Sequence, residues 1–322
     1  MRVISIEDHF WTPAIAEAIG ALRNPDTDAG GPLAANLADL GEGRLAAMDA
    51  AGIDLQVISH TTPGVQHLDA DTAIPLAREA NDALARAVAE HPDRFAGFAT
   101  LPTSAPQAAA DELERAVTEL GFLGAMINGH TNGRFLDDRA FDVLHERAAR
   151  LGVPLYLHPA EPVPAVRDAY YQGLAPAVSW FLSAAAFGWH AETGIHVLRM
   201  VLGGVFDRHP ELSLVIGHMG EMLPFMLQRV DDNLPPKVTG LERLPSEYVL
   251  ANVHITTSGL FSVPPLMCAL MVFGVERVLF SVDWPYAPNE DGQRLLDIAP
   301  LSPGDLELIA HGNAERLLGL SR

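Results

Sequence analysis

Histidines and carboxylates stand where short apolar runs end. Glu7-Asp8-His9 closes the first run, and His158 ends Leu155-Tyr-Leu-His-Pro159. His218 and Glu221 follow Leu212–Gly217, Asp283 ends Phe280-Ser-Val-Asp, and Asn128 ends Gly124–Asn128. Side chains alternate along extended backbone, so Glu7 and His9 project to one side. Glu7, His158 and Asp283 make a mixed oxygen and nitrogen site for one divalent ion. Such ligands suit Zn²⁺ or Mn²⁺ and leave positions open for water or substrate. His9 is either a further ligand or a neighbour of one. Two carboxylates neutralise a divalent charge, which weakens the ion as a Lewis acid yet still lets an anionic chelator replace water.

Plainer roles compete at each position. A carboxylate ending an apolar strand is costly unless paired, which favours the ligand role for Glu7. His158 could be a hydrogen-bonded core histidine, and Asp283 could cap the next helix. His218 and Glu221 open an expected helix, where a Glu three residues on also serves capping. As a catalytic pair, Glu221 would hold His218, whose ordinary pKa suits a base or proton shuttle. Asn128 is a substrate contact or a turn residue, and Arg229 a substrate anchor or a solvated surface residue. Trp189 and His190 are candidates for a pocket wall. Phe10, Trp11, Trp284 and Tyr286 either line a pocket for a planar ligand or pack barrel against helix. His145 and His196 fall at helical positions of the surface or core.

These residues need a scaffold that gathers strand ends. Eight apolar runs qualify as strands: Val3–Ile6, Leu55–Ser59, Phe95–Thr100, Gly124–Asn128, Pro154–His158, Leu212–Gly217, Val253–Thr257 and Val278–Val282. They are apolar on both faces, as parallel strands under helices are. Helical patterns separate them over Thr72–Glu90, Ala105–Leu120, Arg139–Leu151, Ala191–Phe206, Met219–Val230, Val263–Phe273 and Pro303–Leu318. The alternation predicts a (β/α)₈ TIM barrel, whose chemistry gathers at the C-terminal ends of its strands. An open doubly wound sheet is the competitor, but no Gly-rich phosphate loop follows the first strand. No repeat or linker divides the chain, so residues 1–322 read as a single domain.

Composition removes other classes. The 322 residues carry a formal charge of −20, which sets nucleic acid and anionic membranes aside as partners. The single cysteine, Cys268, precludes an intrachain disulfide. Lys237, the only lysine, sits in a Pro-rich loop, which argues against Schiff-base chemistry and a carboxylated-lysine metal bridge. The first residues do not read as a signal peptide. The apolar stretch Val178–Trp189 is too short to span a bilayer and reads as a buried helix. The expectation is a cytoplasmic protein.

Five segments in order carry a resemblance. They are Glu7-Asp-His9-Phe10, Tyr156-Leu-His158-Pro159, Val215-Ile-Gly-His218-Met-Gly-Glu221, His254-Ile-Thr-Thr-Ser-Gly259 and Leu279-Phe-Ser-Val-Asp283-Trp-Pro285. Together the chain resembles the amidohydrolase-related metal-dependent decarboxylases, especially the gamma-resorcylate (2,6-dihydroxybenzoate) decarboxylase group. The start Glu7-x-His9, where many hydrolytic relatives carry His-x-His, is similar to the decarboxylase branch. The resemblance implies metal ligands Glu7, His158 and Asp283 with His9, and active-site roles for His218, Glu221, Arg229 and Asn128. It implies non-oxidative loss of CO₂ from an ortho-hydroxy aromatic acid, with one Zn²⁺ or Mn²⁺ and no organic cofactor. Asp283 is the donor favoured by the class and His218 the alternative, since a carboxylate on a cation is a poor acid. Phe187-Gly-Trp-His190 departs from the resorcylate pattern and leaves the ring substitution open. Such enzymes are commonly homodimers or homotetramers. The rivals are a hydrolase or hydratase on the same barrel, and a catalytically silent barrel.

Overall fold

The apolar runs form parallel strands in the computed structural model, which describes residues 1–20 and 31–320. The strands are β1 (Ile4–Phe10), β2 (Leu55–His60), β3 (Phe95–Gly97 and, past Phe98, Ala99–Thr100), β4 (Ala125–Asn128), β5 (Leu155–His158), β6 (Leu214–Ile216), β7 (Val253–Thr256) and β8 (Val278–Leu279). Each pairs in parallel with the next. Phe98 carries β3 across a break: its N–H bonds the Ile58 carbonyl at 2.9 Å, and the Ala99 N–H bonds the Gly124 carbonyl at 2.9 Å. Closure comes just past β8, where Asp8 bridges Trp284 in parallel and the His9 N–H reaches the Trp284 carbonyl at 2.7 Å. The result is a (β/α)₈ TIM barrel, as the alternation predicts.

Two apolar layers hold it. Ile4, Ile6, Val57, Phe98, Tyr156, Val215 and Leu279 cluster together, while a larger cluster includes residues from the strands and the surrounding helices. A register irregularity between Ser5 and Asp8 shifts the alternation of β1. Ile6 joins the smaller apolar cluster, and Glu7 and His9, rather than Asp8, reach the mouth. Asp8 bonds the Trp284 N–H instead, at 3.1 Å. Arg44, fully buried, donates to the His9 carbonyl at 2.6 Å and covers the Trp284 ring at 4.2 Å, fixing the end of β1.

The helical expectations need four corrections. Ala191–Phe206 is split at Gly203-Gly204 into Gly188–Leu202 and Val205–Arg208, where Gly204 takes a left-handed φ of 70°. Val178–Trp189 is not a buried helix: the helix runs Pro176–Ser183, with Val178 53% and Phe181 45% exposed. Hydropathy alone does not say whether an apolar face is covered. The expected helix Met219–Val230 starts only at Leu223, for reasons given below. Pro303–Leu318 is interrupted by a π turn at Leu308–Gly312. Short helices at Pro13–Ile19, Pro32–Ala38, Glu42–Ala51, Pro164–Tyr170, Pro245–Asn252 and Asn289–Ile298 come in addition. Among the described residues no helix is long and apolar enough to cross a membrane.

Candidate active site

The strand-end residues converge. One ligand atom from each of Glu7, His9, His158 and Asp283 lies within 4.8 Å of all the others. Glu7 is fully buried, and three hydroxyls crowd its Oε2: Tyr156, Ser258 and Thr256, the last at 3.1 Å. Its other oxygen, Oε1, has no hydrogen-bond partner and faces His158 Nε2 at 3.4 Å. The His158 Nδ1–H donates to the Pro159 carbonyl at 2.7 Å, which leaves the Nε2 lone pair pointing at the cluster. Burial pushes His158 down to about 3, so the ring stays neutral, as a ligand must be.

His9 Nε2 and Asp283 Oδ1 are 3.0 Å apart without hydrogen-bonding geometry. Buried polar atoms are normally paired, so three unpartnered ones aimed at one point are a strong sign of a missing ligand. Two carboxylates and two imidazoles fit a divalent cation in charge and donor type. Burial pushes the Glu7 carboxyl up, against the pull of His218. Burial acts the same way on Asp283, but the His218 and His9 imidazoles together outweigh it and hold that carboxyl well below its ordinary range.

His218 and Glu221 do not open a right-handed helix. His218, Met219, Gly220, Glu221 and Met222 have φ of 50°, 56°, 86°, 52° and 67°, a left-handed turn that ends where the helix Leu223–Asn233 begins. Left-handed backbone costs roughly 1–2 kcal/mol per non-glycine residue. Of the six non-glycine residues with positive φ among those described, four lie in this turn and a fifth is Asp283. Strain of this kind persists where surrounding contacts over-determine it. Here the His218 N–H is held by Ser258 Oγ at 3.1 Å, and its Nδ1 meets Glu221 Oε1 at 2.8 Å. Nε2, on the other side of the ring, lies 3.9 Å from Glu7 Oε1 and 3.7 Å from Asp283 Oδ2. Burial lowers His218, but the Glu221 and Glu7 carboxylates prevail and hold it well above its ordinary value. Burial raises Glu221, and its two imidazole neighbours reverse that to a net lowering.

The other expected residues divide. Asn128 pairs in register with His158 and keeps a buried, unpartnered Oδ1. Trp189 packs edge-on against His158 with ring centroids 6.3 Å apart, and its indole N–H is buried without a partner. Tyr286 packs edge-on against His9 at 5.7 Å. His190 lines a groove together with Phe187 and His218, and is also bonded to Glu221 at 2.7 Å. Arg229 is exposed on its helix and has no hydrogen bond or ion pair with these residues. Tyr156, Thr256 and Ser258, which hold Glu7, went unread in the sequence. Period-two spacing was the available signal, since Tyr156 stands two before His158 and Ser258 two after Thr256.

A parallel barrel that brings Glu-x-His, a histidine and an aspartate to its mouth is an amidohydrolase. Residues 8–320 match the amidohydrolase family, and the chain belongs to it. Decarboxylase orsB of Emericella nidulans is 40% identical to it over 98% of this chain and 96% of its own. Gamma-resorcylate decarboxylase of Rhodococcus jostii is 37% identical over 99% of each chain. The crystal structure of dihydroxybenzoic acid decarboxylase from Polaromonas sp., with bound manganese and the inhibitor 2-nitroresorcinol, matches with a TM-score of 0.89. That similarity is at 34% identity and covers 100% of this chain and 98% of the other.

Proposed function

We propose that this chain is a metal-dependent carboxy-lyase that releases CO₂ from an ortho-hydroxy aromatic carboxylic acid of the dihydroxybenzoate or salicylate type. The observation that carries the reading is the convergence of bare Glu7 Oε1, His9 Nε2 and Asp283 Oδ1 beside neutral His158. Those four residues would hold one Mn²⁺ or Zn²⁺, and the manganese of the Polaromonas relative makes Mn²⁺ the first to try. When bound, the ion supplies positive charge that stabilises negative charge developing on substrate oxygens.

The chain's own residues manage the proton. Decarboxylation forms a C–H bond at the ring carbon and breaks its bond to the carboxylate. The electron pair of that bond restores the aromatic ring. Two residues are placed to deliver the proton: Asp283, within the set of four, and His218, whose Nε2 stands 3.7 Å from Asp283 Oδ2. Glu221 fixes the His218 ring with Nε2 toward the ligands. The indole N–H of Trp189 and the Oδ1 of Asn128 are the polar groups left for a substrate to satisfy. The reading takes residues 1–322 as one barrel domain without an organic cofactor. It also takes the working form as a cytoplasmic homodimer or homotetramer, in keeping with the 83% exposure of both Phe225 and Met271.

Elemental analysis of the purified protein, combined with a panel of hydroxybenzoates scored for CO₂, tests it. One divalent ion per chain and CO₂ from an ortho-hydroxy acid, but not from its meta isomer, is the expected result. A metal-loaded protein that frees no CO₂ from any of them, while opening a lactone or hydrating an alkene, belongs to the hydrolytic alternative.

A further inference from the structure

Phe187-Gly-Trp-His190 left the substitution of the ring open, and the surroundings of Trp189 bear on it. Trp189 stands in the first turn of the helix Gly188–Leu202 and packs edge-on against His158, with ring centroids 6.3 Å apart. Its main chain is held on both sides. The backbone N–H reaches the Ala184 carbonyl at 3.2 Å, and the backbone carbonyl accepts the Thr193 hydroxyl at 2.8 Å. Gly188 presses so closely on Ser183 that a Cβ there would overlap the Ser183 carbonyl. The helix start that presents the indole therefore has little freedom. An indole nitrogen can only donate, and a buried one usually has an acceptor. Trp189 Nε1 is the only buried indole nitrogen among the described residues without one. Asn128 supplies the complementary half. It lies on β4 in register with His158, its Nδ2 is 3.5 Å from Gln66 Oε1, and its Oδ1 is a buried acceptor without a donor. A hydroxyl both accepts and donates, so it answers both groups. An ether answers only the indole, and an alkyl group neither.

We propose that Trp189 is a specificity-determining residue: its indole N–H donates to a second ring hydroxyl of the substrate, which in turn donates to Asn128 Oδ1. The proposal rests on the reading above of an ortho-hydroxy aromatic acid, and it narrows that class to acids with a further hydroxyl, against plain 2-hydroxybenzoate. The ortho hydroxyl and the carboxylate are the groups that the positive charge at the four-residue cluster attracts, so the hydroxyl that Trp189 reads is an additional one. An acid lacking it leaves a buried donor and a buried acceptor unpaired. A site built to bond a substrate group rejects the analogue without that group for this reason.

Nitrophenols test this on the Zn²⁺-loaded protein, because a nitro group has the shape of a carboxylate and cannot leave as CO₂. The probes are 2-nitrophenol and its derivatives with one more hydroxyl, at each of the open ring positions. At least one derivative should bind about tenfold or more tighter than 2-nitrophenol. In protein labelled with ¹⁵N-tryptophan, that derivative should move the Trp189 indole N–H signal, which Trp189→Phe identifies by its absence. Trp189→Phe keeps a ring beside His158 and loses the N–H. In it the ratio of the two affinities should fall about tenfold. The kcat/KM ratio of the matching dihydroxy acid to 2-hydroxybenzoate should fall with it. An indole signal that no derivative moves, or a Trp189→Phe protein that keeps the parent's preference, overturns the assignment. A parent that discriminates among the probes as expected, yet releases no CO₂ from any acid, sinks the decarboxylase reading and leaves the role of Trp189 in binding intact.

Discussion

The Tyr156 hydroxyl donates to Oε2 of Glu7 and leaves Oε1, the oxygen facing His158, bare. One carboxylate oxygen is thus tied down so that the other is aimed. Hydrogen bonds of this type commonly contribute about 10–100-fold to metal affinity. Tyr156→Phe should therefore keep the fold and weaken the metal site about tenfold or more. Competition against a chelator measures it. An unchanged dissociation constant would mean that Ser258 and Thr256 hold Glu7 without help.

Gly217 is the backbone on which Glu7 rests. A Cβ there would meet Glu7 Oε2 at 2.8 Å and Ser258 Oγ at 2.9 Å, closer than real Cβ contacts come. Its φ of −81° is open to any residue, so the constraint is space and not conformation. Gly217→Ala is expected to lower metal content and turnover far more than melting temperature. A fully loaded, active Gly217→Ala protein would show that the carboxylate has room to move.

The strand ends were legible because two simple rules coincide there, apolar runs for buried parallel strands and polar residues where they stop. Glu7, His158 and Asp283 fell out of that pattern before any contact was known. The turn at His218 was not legible. His-Met-Gly-Glu-Met has no marker for left-handed backbone beyond Gly220, and local preference favours an ordinary helix start. Tertiary contacts impose the turn: Ser258 holds the His218 N–H, and two histidines hold Glu221. The bond between His190 and Glu221 spans 31 residues, and neither spacing nor periodicity encodes it. Short helices such as Pro164–Tyr170 and Pro245–Asn252 escaped for another reason. Each runs for two turns or so, too few for an apolar stripe to repeat.

His218 Nε2 faces the cluster from 3.7 Å or more, near Glu7 and Asp283 yet outside the set of four. His218→Gln should retain the bound metal and lose about 10²-fold or more of kcat, the usual worth of a positioned acid or base. Elemental analysis beside steady-state kinetics separates the roles. Loss of the metal in this variant would make His218 a ligand instead of the proton donor.

Stability should fall steeply on mild acidification, because several histidines are buried and neutral. His145 and His196 are almost fully enclosed, and burial pushes both down to about 3. His145 is the more exposed to this effect, since neither ring nitrogen has a hydrogen-bond partner. The sign follows from proton counting. Below the ordinary value of 6.5 the unfolded chain protonates these rings and the folded chain does not, so stability rises with pH from about 3 up to 6.5 and is flat above. At pH 5.5 each such ring costs the fold about 1.4 kcal/mol. His218, held above its ordinary value, works in the opposite sense, and a comparison of variants cancels it. The melting temperature of the parent protein should drop between pH 7.5 and 5.5 by more than that of His145→Gln, which has nothing to protonate. Equal drops in the two proteins would mean that His145 takes up its proton in the folded state.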